Sequence, residues 1–509
     1  MRIKTWQLLF VLLTSTLSAQ PKYWIYLSDK DPNATPVLSE TTLENRKQAG
    51  LVLWDETDLP VRSEYFQAIQ KFNITPLYAS RWLNAISAAL TPQQATTLRS
   101  LNFVTDVVPM DVDFVIARTA PADRSALAPV MSQVQSEAFK SQGFTGKGVT
   151  VGVIDAGFYG ADSSHSLQHV FSNKRVLGIR DYVKPNQPAE WLYTLAESYS
   201  DMHGTEVMAA ISGFDIDDQV QYGTALNAKF YLARTDYSLR EWRGEEDNWI
   251  AAMEWMDSLG VRLINTSLGY ARGFSDPKEN YEPKQMDGKT SAISRAAQLA
   301  VDKKGILLVV SAGNEGEDKN WRIISTPADA KGVLAVGATN MRLWNRIGYS
   351  SMGPEFLPYI KPNVSCFSLY GTSLSAPVIT GFAACLMEAN PKLTNKELMD
   401  LIEKSAHLYP YGNNFVGYGV PLASKALALV KAPYLPSNSS SVKVSGKTCT
   451  IDVVTSDQML VIYRKKNKKD VISQQIAKVQ DGKITLKKQN GEAFTTVDLK
   501  DRAIEVIWE

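Results

Sequence analysis

The chain has 509 residues, 54 lysines and arginines against 53 aspartates and glutamates, and a formal net charge of +1. That length exceeds what one hydrophobic core organises and implies two to four domains, while a charge near zero excludes any general electrostatic bias toward nucleic acid or an anionic membrane. With 44% hydrophobic and 21% charged residues, the composition is that of a soluble globular protein.

The N-terminal stretch MRIKTWQLLFVLLTSTLSAQ is basic at Arg2 and Lys4, apolar from Trp6 to Leu13, and ends in Leu17-Ser18-Ala19. This is the layout of a secretory signal peptide, residues 1–19, cut after Ala19. Its apolar core is too short to span a bilayer comfortably, and no Cys follows the cut to carry a lipid. No other stretch reaches membrane-spanning length, so the mature chain is expected to be secreted, periplasmic or on the cell surface.

Residues 20–118 read as a compact unit. KYWIYLSD alternates like a strand, SEYFQAIQKF has helical spacing, ITPLYASRW and LNAISAAL are strands, PQQATTLRSL is a helix and VTDVVP a last strand. The order is that of a split βαβ, ferredoxin-like unit, with an extra helix near TLENRKQAG. RTAPADRSALAPV follows without periodicity, as an exposed linker does.

From 125 to 431 continuous apolar runs (VTVGVID, AKFYLART, VRLINTSLG, GILLVVSAGN, GVLAVGAT) alternate with helical stretches. That alternation predicts an α/β domain of three α/β/α layers, with a mainly parallel sheet covered on both faces. Functional groups in such sheets gather beyond the C-terminal strand ends. The aromatic side chains of Trp242, Trp249 and Trp255 fall on helical spacing and are expected to pack. APYLPSNSSS (432–441) reads as a linker, and 442–509 as a small all-β module with turns at RKKNKKD, at 481–482 and at 490–491. The basic run Arg464–Lys469 is expected to be a solvated hairpin turn. Cys366, Cys385 and Cys449 have no metal-ligand spacing and are expected to be small buried hydrophobes.

Four stretches stand at strand ends, and each holds one group that hydrolysis by a serine needs. GVTVGVIDAGF is a buried strand ending in Asp155. HGTEVMAAISG opens with His203, and Gly204 lets the helix start tightly behind it. VVSAGNEG ends in a glycine turn displaying Asn314, and GTSLSAPVITGFAACLM sets Ser373 at a helix start, with Pro377 tolerated in the first turn. A serine hydroxyl needs a base, and the base needs a carboxylate to fix its tautomer. The tetrahedral intermediate needs donors such as the Asn314 amide and the Ser373 N–H. His165, His169 and His407 have no partner motif and are expected to be solvated or packed. The carboxylates Asp215 to Asp218 lack a calcium-loop pattern and read as a polar turn.

In the order Asp, His, Asn, Ser, these stretches resemble the subtilisin-like serine peptidases (subtilases), over roughly residues 140–430, together with GKGVTVGVID, NTSLG, TPADA, VLAVGAT and GTSLSAP. The N-terminal unit resembles subtilase propeptides more loosely. The resemblance implies a secreted serine endopeptidase acting on protein or peptide substrates, with the N-terminal domain as intramolecular inhibitor and chaperone, removed by cleavage near 115–125. It implies Ser373 as nucleophile, His203 as general base and then acid, Asp155 orienting it and Asn314 donating to the oxyanion. Ser267, Leu268 and Gly269 match the segment that pairs with substrate and walls the primary pocket, and Ser311, Ala312 and Gly313 the opposite wall. No cofactor is implied; family members often carry structural calcium, but no ligand is assignable here.

The chain departs from the family at Ala156, where a hydroxyl residue is usual, and at Glu206, where a second His is usual. The KPNVSCFSLY approach to Ser373 is short, and the stretch from Asp155 to His203 is long, which predicts an extra surface loop. These departures leave one rival from another class, a non-catalytic binding or scaffold protein on a subtilase frame whose C-terminal module is the working part.

Overall fold

The computed structural model describes residues 21–110, 128–237, 243–272, 280–432, 434, 437–453 and 459–509. The expected signal peptide, the expected cleavage segment at 115–125 and Trp242 lie outside these residues. Near the N-terminus, β1 (Lys22–Leu27), α1 (Glu40–Gln48), α2 (Ser63–Gln70), β2 (Pro76–Ser80), β3 (Ala85–Ala89), α3 (Pro92–Arg99) and β4 (Val104–Pro109) follow the expected order, α1 being the extra helix. The sheet runs β2-β3-β1-β4 with antiparallel neighbours, the ferredoxin-like arrangement. Thr91 opens α3 with a reciprocal capping box to Gln94, and Pro92 takes the first turn, where no N–H is missed. Ile69 and Leu98 of the helices pack on Ile25 and Ile86 of the sheet.

The central region adds α4 (Ala128–Gln133), α5 (Glu137–Lys140), β5 (Thr150–Asp155), α6 (Gln168–Ser172), β6 (Val176–Asp181), α7 (His203–Ser212), β7 (Phe214–Asp215), β8 (Val220–Gln221), β9 (Lys229–Arg234), α8 (Glu246–Ser258), β10 (Leu263–Thr266), α9 (Ala292–Lys303), β11 (Leu307–Ser311), β12 (Leu334–Thr339), β13 (Val364–Phe367), α10 (Ser375–Ala389), α11 (Asn395–Ser405) and α12 (Ala423–Lys431). Seven of these strands form one parallel sheet in the order β13-β12-β11-β10-β5-β9-β6. Alternate residues of β5 divide between two cores. Val151 and Val153 pack with Val207 of α7 and Ile379 of α10, and Ile154 packs with Trp249 and Met253 of α8 and Ala297 of α9. Burial on both faces is why these strands read as continuous apolar runs. The long stretch between Asp155 and His203 is more than the surface loop expected, because it carries α6 and the edge strand β6.

The N-terminal sheet sits on α8 and buries the face opposite its own helices, so β1 is buried almost throughout instead of alternating. Trp24 and Trp82 join the Trp249 cluster. Three carboxylates of α8 take partners from this sheet or α1. Asp247 accepts from Lys22 Nζ (3.0 Å) and Ser87 Oγ (2.7 Å), and Glu254 from Ser80 Oγ (2.7 Å) and the Arg81 and Trp82 N–H groups (both 3.2 Å). Asp257 accepts from Arg46 (2.9 Å) and Arg81 (2.7 Å), and Arg46 is also paired with Asp58 at 2.8 Å.

The C-terminal strands are β14 (Ser440–Val444), β15 (Thr448–Asp452), β16 (Met459–Lys465), β17 (Val471–Lys478), β18 (Lys483–Lys487), β19 (Phe494–Asp498) and β20 (Ala503–Trp508). They form a five-stranded sheet, β14-β20-β19-β16-β17, and a β15-β18 ribbon, with Asp481-Gly482 and Gly491 at positive φ in turns as expected. The basic run differs from expectation: the hairpin turn is there, but Arg464 and Lys465 are buried and paired with Glu492 and Glu505, each at 2.8 Å. His407 is packed, one of the two expected outcomes, and has in addition a charged partner that no local motif announced. Its Nδ1 accepts the Val420 N–H (2.8 Å), so Nε2 carries the proton and faces Asp498 Oδ2 at 3.1 Å, fully buried between the C-terminal sheet and the central region.

The three cysteines are free and buried, Trp249 and Trp255 pack as expected, and Asp215 caps its own turn by accepting the Asp217 and Asp218 N–H groups. One helical stretch among the described residues, Thr372–Ala389, is long and apolar enough to cross a membrane, and 89% of it is buried inside the protein. No group of three or more His, Cys, Asp or Glu among the described residues is arranged to hold a metal ion.

Candidate active site

The parallel sheet brings the four singled-out stretches to one rim. Asp155 ends β5 and is fully buried; its Oδ1 accepts the Ala156 N–H (2.8 Å) and lies 2.7 Å from His203 Nδ1. His203 begins α7, which is pressed onto the Asp155 turn because Gly204 lacks a side chain. A Cβ at Gly204 would lie 2.4 Å from the Gly157 carbonyl oxygen. Burial alone would lower the imidazole pKa, but the charge and hydrogen bond of Asp155, with Glu206 and Asp236 adding, hold it above its ordinary value. His203 Nε2 is buried and has no hydrogen-bond partner among the described residues.

Ser373 lies in a short 3-10 turn, Thr372–Leu374, that leads into α10, one turn ahead of the α-helix start that the sequence suggested. The turn packs beside α7. Gly371 enters it at φ 114°, a region that favours glycine, and Pro377 is the third residue of α10, where its missing N–H costs nothing. Ser373 Oγ donates to the Ser267 carbonyl at 3.3 Å rather than to His203. Bonds of this kind are often unmade in unliganded sites and tighten when substrate binds.

Asn314 is oriented by its partner. Its Oδ1 accepts the Thr372 N–H (2.8 Å) and the Thr372 hydroxyl (3.0 Å). A backbone N–H can only donate, so it fixes the amide and turns Nδ2 away from Thr372. Ser267 Oγ donates to the Ser373 carbonyl at 2.8 Å, and Leu268 and Gly269 continue from it. Ser311 and Ala312 are buried, the Ala312 N–H being committed to Val336, while Gly313 (φ 108°) donates to Thr372 Oγ1. Gly269 and Gly313 both face one hydroxyl: a Cβ at Gly269 would lie 2.2 Å from Ser325 Oγ, and one at Gly313 3.4 Å from it. His165 is exposed, His169 half-buried and His407 committed to Asp498, so none of them reaches this rim.

Two acidic residues were not anticipated. Asp236 is a second buried carboxyl just past the end of β9, the register neighbour of β5. It accepts from Thr235 Oγ1 (3.0 Å) and the Tyr270 hydroxyl (3.1 Å), and its Oδ2 has no partner among the described residues. Burial, with the Asp155 charge adding, pushes it up to about 7. YLARTD does carry the signal that flagged Asp155, an acid closing an apolar strand. Glu315 accepts the Asn314 N–H (2.9 Å) and the Ser351 hydroxyl (3.0 Å), and burial raises its pKa.

With this geometry, residues 146–419 match the Subtilase family, and residues 22–124 match the Peptidase S8 propeptide domain of Bacteroidota. Subtilisin NAT of Bacillus subtilis subsp. natto is 31% identical over 300 residues, covering 56% of this chain and 67% of its own length. Subtilisin DY of Bacillus licheniformis is 28% identical over 288 residues, covering 54% and 89%. Among solved structures, the epidermin leader peptide processing serine protease (EpiP) of Staphylococcus aureus superposes with a TM-score of 0.54 at 16% identity, over 81% of this chain and 99% of its own, a likeness of fold.

Proposed function

Because the chain belongs to the subtilase family of serine-type endopeptidases, we propose that it hydrolyses peptide bonds through an acyl-enzyme on Ser373, outside the cytoplasm, after release of its N-terminal region. The proposed division is a signal peptide over 1–19, a propeptide over 20–118, a peptidase over 125–431 and a C-terminal β region over 442–509. The observation that carries the reading is the buried His203–Asp155 pair with Nε2 left available on the helix beside Ser373.

In the proposed cycle, Ser373 Oγ turns from the Ser267 carbonyl to His203 Nε2, which takes its proton as Oγ bonds to the substrate carbonyl carbon. The imidazolium is stabilised by Asp155. The oxyanion accepts from Asn314 Nδ2 and the Ser373 N–H, at the positive end of the helical turn. His203 then returns the proton to the leaving amine and the acyl-enzyme forms. Water, deprotonated by His203, attacks the ester and restores Ser373. The backbone of Ser267–Gly269 aligns the substrate as an added strand, and the Ser325 hydroxyl between Gly269 and Gly313 favours a small side chain in the primary pocket.

The N-terminal domain, latched to three carboxylates of α8 through its sheet and α1, acts as the inhibitor until it is cut away. Hydrolysis of unfolded protein by the wild type, with none by Ser373→Ala or His203→Ala, is the expected result. Equal hydrolysis by Ser373→Ala, or none by any of the three, would overturn the reading, and the second outcome would favour a scaffold.

A further inference from the structure

The segment Arg346–Ser351 contains no helix or strand, yet it holds both turns of the proposed oxyanion site. On the Asn314 side, the Ser351 N–H donates to the Gly313 carbonyl at 3.0 Å. Ser351 Oγ accepts the Glu315 N–H (3.1 Å) and donates to Glu315 Oε2 (3.0 Å), the same oxygen that receives the Asn314 N–H. The Tyr349 carbonyl accepts the Gly316 N–H at 2.7 Å. On the Ser373 side, the Tyr349 hydroxyl donates to the Ser368 carbonyl, and Ser368 Oγ donates to the Gly371 carbonyl, both at 2.7 Å.

This segment is in turn clasped from the C-terminal sheet. The side-chain amide of Gln474, on edge strand β17, accepts the Arg346 N–H (3.0 Å) and donates to the Arg346 carbonyl (3.1 Å). One side chain thus supplies the pair of bonds a neighbouring strand would make. The Arg346 guanidinium, lying 4.8 Å from the centre of the Phe415 ring, donates onward to the Gly348 and Ser350 carbonyls at 3.0 and 2.6 Å. The Val471 N–H donates to Asn414 Oδ1 (2.9 Å) and fixes β17 in register with the same region.

We propose that the C-terminal β region is a working part of the peptidase, with Gln474 as a positioning residue that acts through the 346–351 segment on the spacing of Asn314 and Ser373. The inference rests on the reading of Asn314 as an oxyanion donor. Oxyanion stabilisation depends on donors fixed in advance at the position the charge will occupy. The segment meets the end of β12 in only a single bridge, Thr339 with Arg346. There the Ile347 N–H donates to the Ala338 carbonyl (3.2 Å) and the Ala338 N–H to Ser350 Oγ (2.9 Å). Gln474 adds the fixing of the Arg346 N–H and carbonyl from outside.

The test uses the full-length protein after activation, as wild type, Gln474→Met, Gln474→Glu, Asn314→Ala and the Asn314→Ala/Gln474→Met double variant. Met keeps the length of Gln and removes both bonds, whereas Glu keeps the acceptor for the Arg346 N–H. Gln474→Met is expected to lower kcat about tenfold with KM little changed, and Gln474→Glu to recover part of the loss. In the Asn314→Ala background Gln474→Met is expected to cost nothing further, because the donor it positions is already gone. An unchanged kcat in Gln474→Met, or the same loss in both backgrounds, would overturn the proposal. If Gln474→Met does not fold, Gln474→Glu, alone and combined with Asn314→Ala, carries the same comparison between backgrounds. A wild-type kcat in Asn314→Ala would instead bring down the oxyanion reading and this inference with it.

Discussion

His203 Nδ1 lies 2.7 Å from Asp155 Oδ1, both atoms shut away from solvent, while Nε2 of the same ring has no partner among the described residues. One edge of the imidazole is therefore fixed and the other is held ready. The arrangement selects one tautomer and raises proton affinity at Nε2, as a general base requires.

Activity is predicted to rise with pH through an acid limb set by His203. Only neutral imidazole accepts the Ser373 proton, and Asp155 holds the His203 pKa above its ordinary value, so the limb falls above about 6.5. Asp155→Asn removes the group that opposes burial. The limb of its residual kcat/KM profile then moves to lower pH, while kcat falls by about 10⁴. A limb that stays in place would show that Asp155 does not govern His203.

Asp236 offers a stability test with a defined sign. Its pKa is raised by burial from an ordinary 3.8 to about 7, so its contribution to folding is complete below about 4 and is lost as pH rises toward 7. Asp236→Asn is therefore predicted to be more stable than wild type near neutral pH, with the gain shrinking toward pH 4. Thermal unfolding across that range checks it.

Asn314→Ala is predicted to lower kcat by about 10²–10³ with little change in KM, the magnitude known for loss of the equivalent donor in subtilisin. Thr372→Val removes the hydroxyl that donates to Asn314 Oδ1 and leaves the Thr372 N–H in place. It is predicted to cost less. Steady-state kinetics on one peptide substrate measures both.

Arg46→Ala leaves Asp257 and Asp58 buried with fewer partners, a lesion that costs about 3–5 kcal/mol when a buried pair is broken. In the full chain, hydrogen exchange is predicted to quicken in β2, β3 and α8 together, because the latch spans both regions. Exchange confined to α1 would mean that Arg46 holds only its own loop.

Ser325→Gly is predicted to shift preference at the primary pocket from small toward larger side chains, since its hydroxyl stands against both Gly269 and Gly313. Cleavage profiles of a denatured proteome by the two proteins give the comparison.

Much of the candidate site was legible because a parallel sheet gathers its strand ends on one rim. Asp155 and Asn314 carried the signature of an apolar strand closed by a turn, His203 and Ser373 that of a small-residue turn opening an apolar helix, and such local signatures survive in sequence. The ferredoxin-like order of the N-terminal sheet was legible for the same reason. What escaped depends on long-range partners. Nothing near Asp236 announces that β9 lies beside β5, and the buried pairs His407–Asp498 and Arg464–Glu492 join residues far apart in sequence. Lysines and arginines in a turn read as solvated until their carboxylates are found. The second function of β1, docking on α8, hid in a strand that failed to alternate.

The most direct measurement is covalent labelling of the activated protein with a fluorophosphonate, followed by mapping of the modified residue. One adduct is expected, on Ser373, lost in Ser373→Ala and greatly slowed in His203→Ala. Labelling that persists in Ser373→Ala, or an adduct mapped to any other residue, would contradict it.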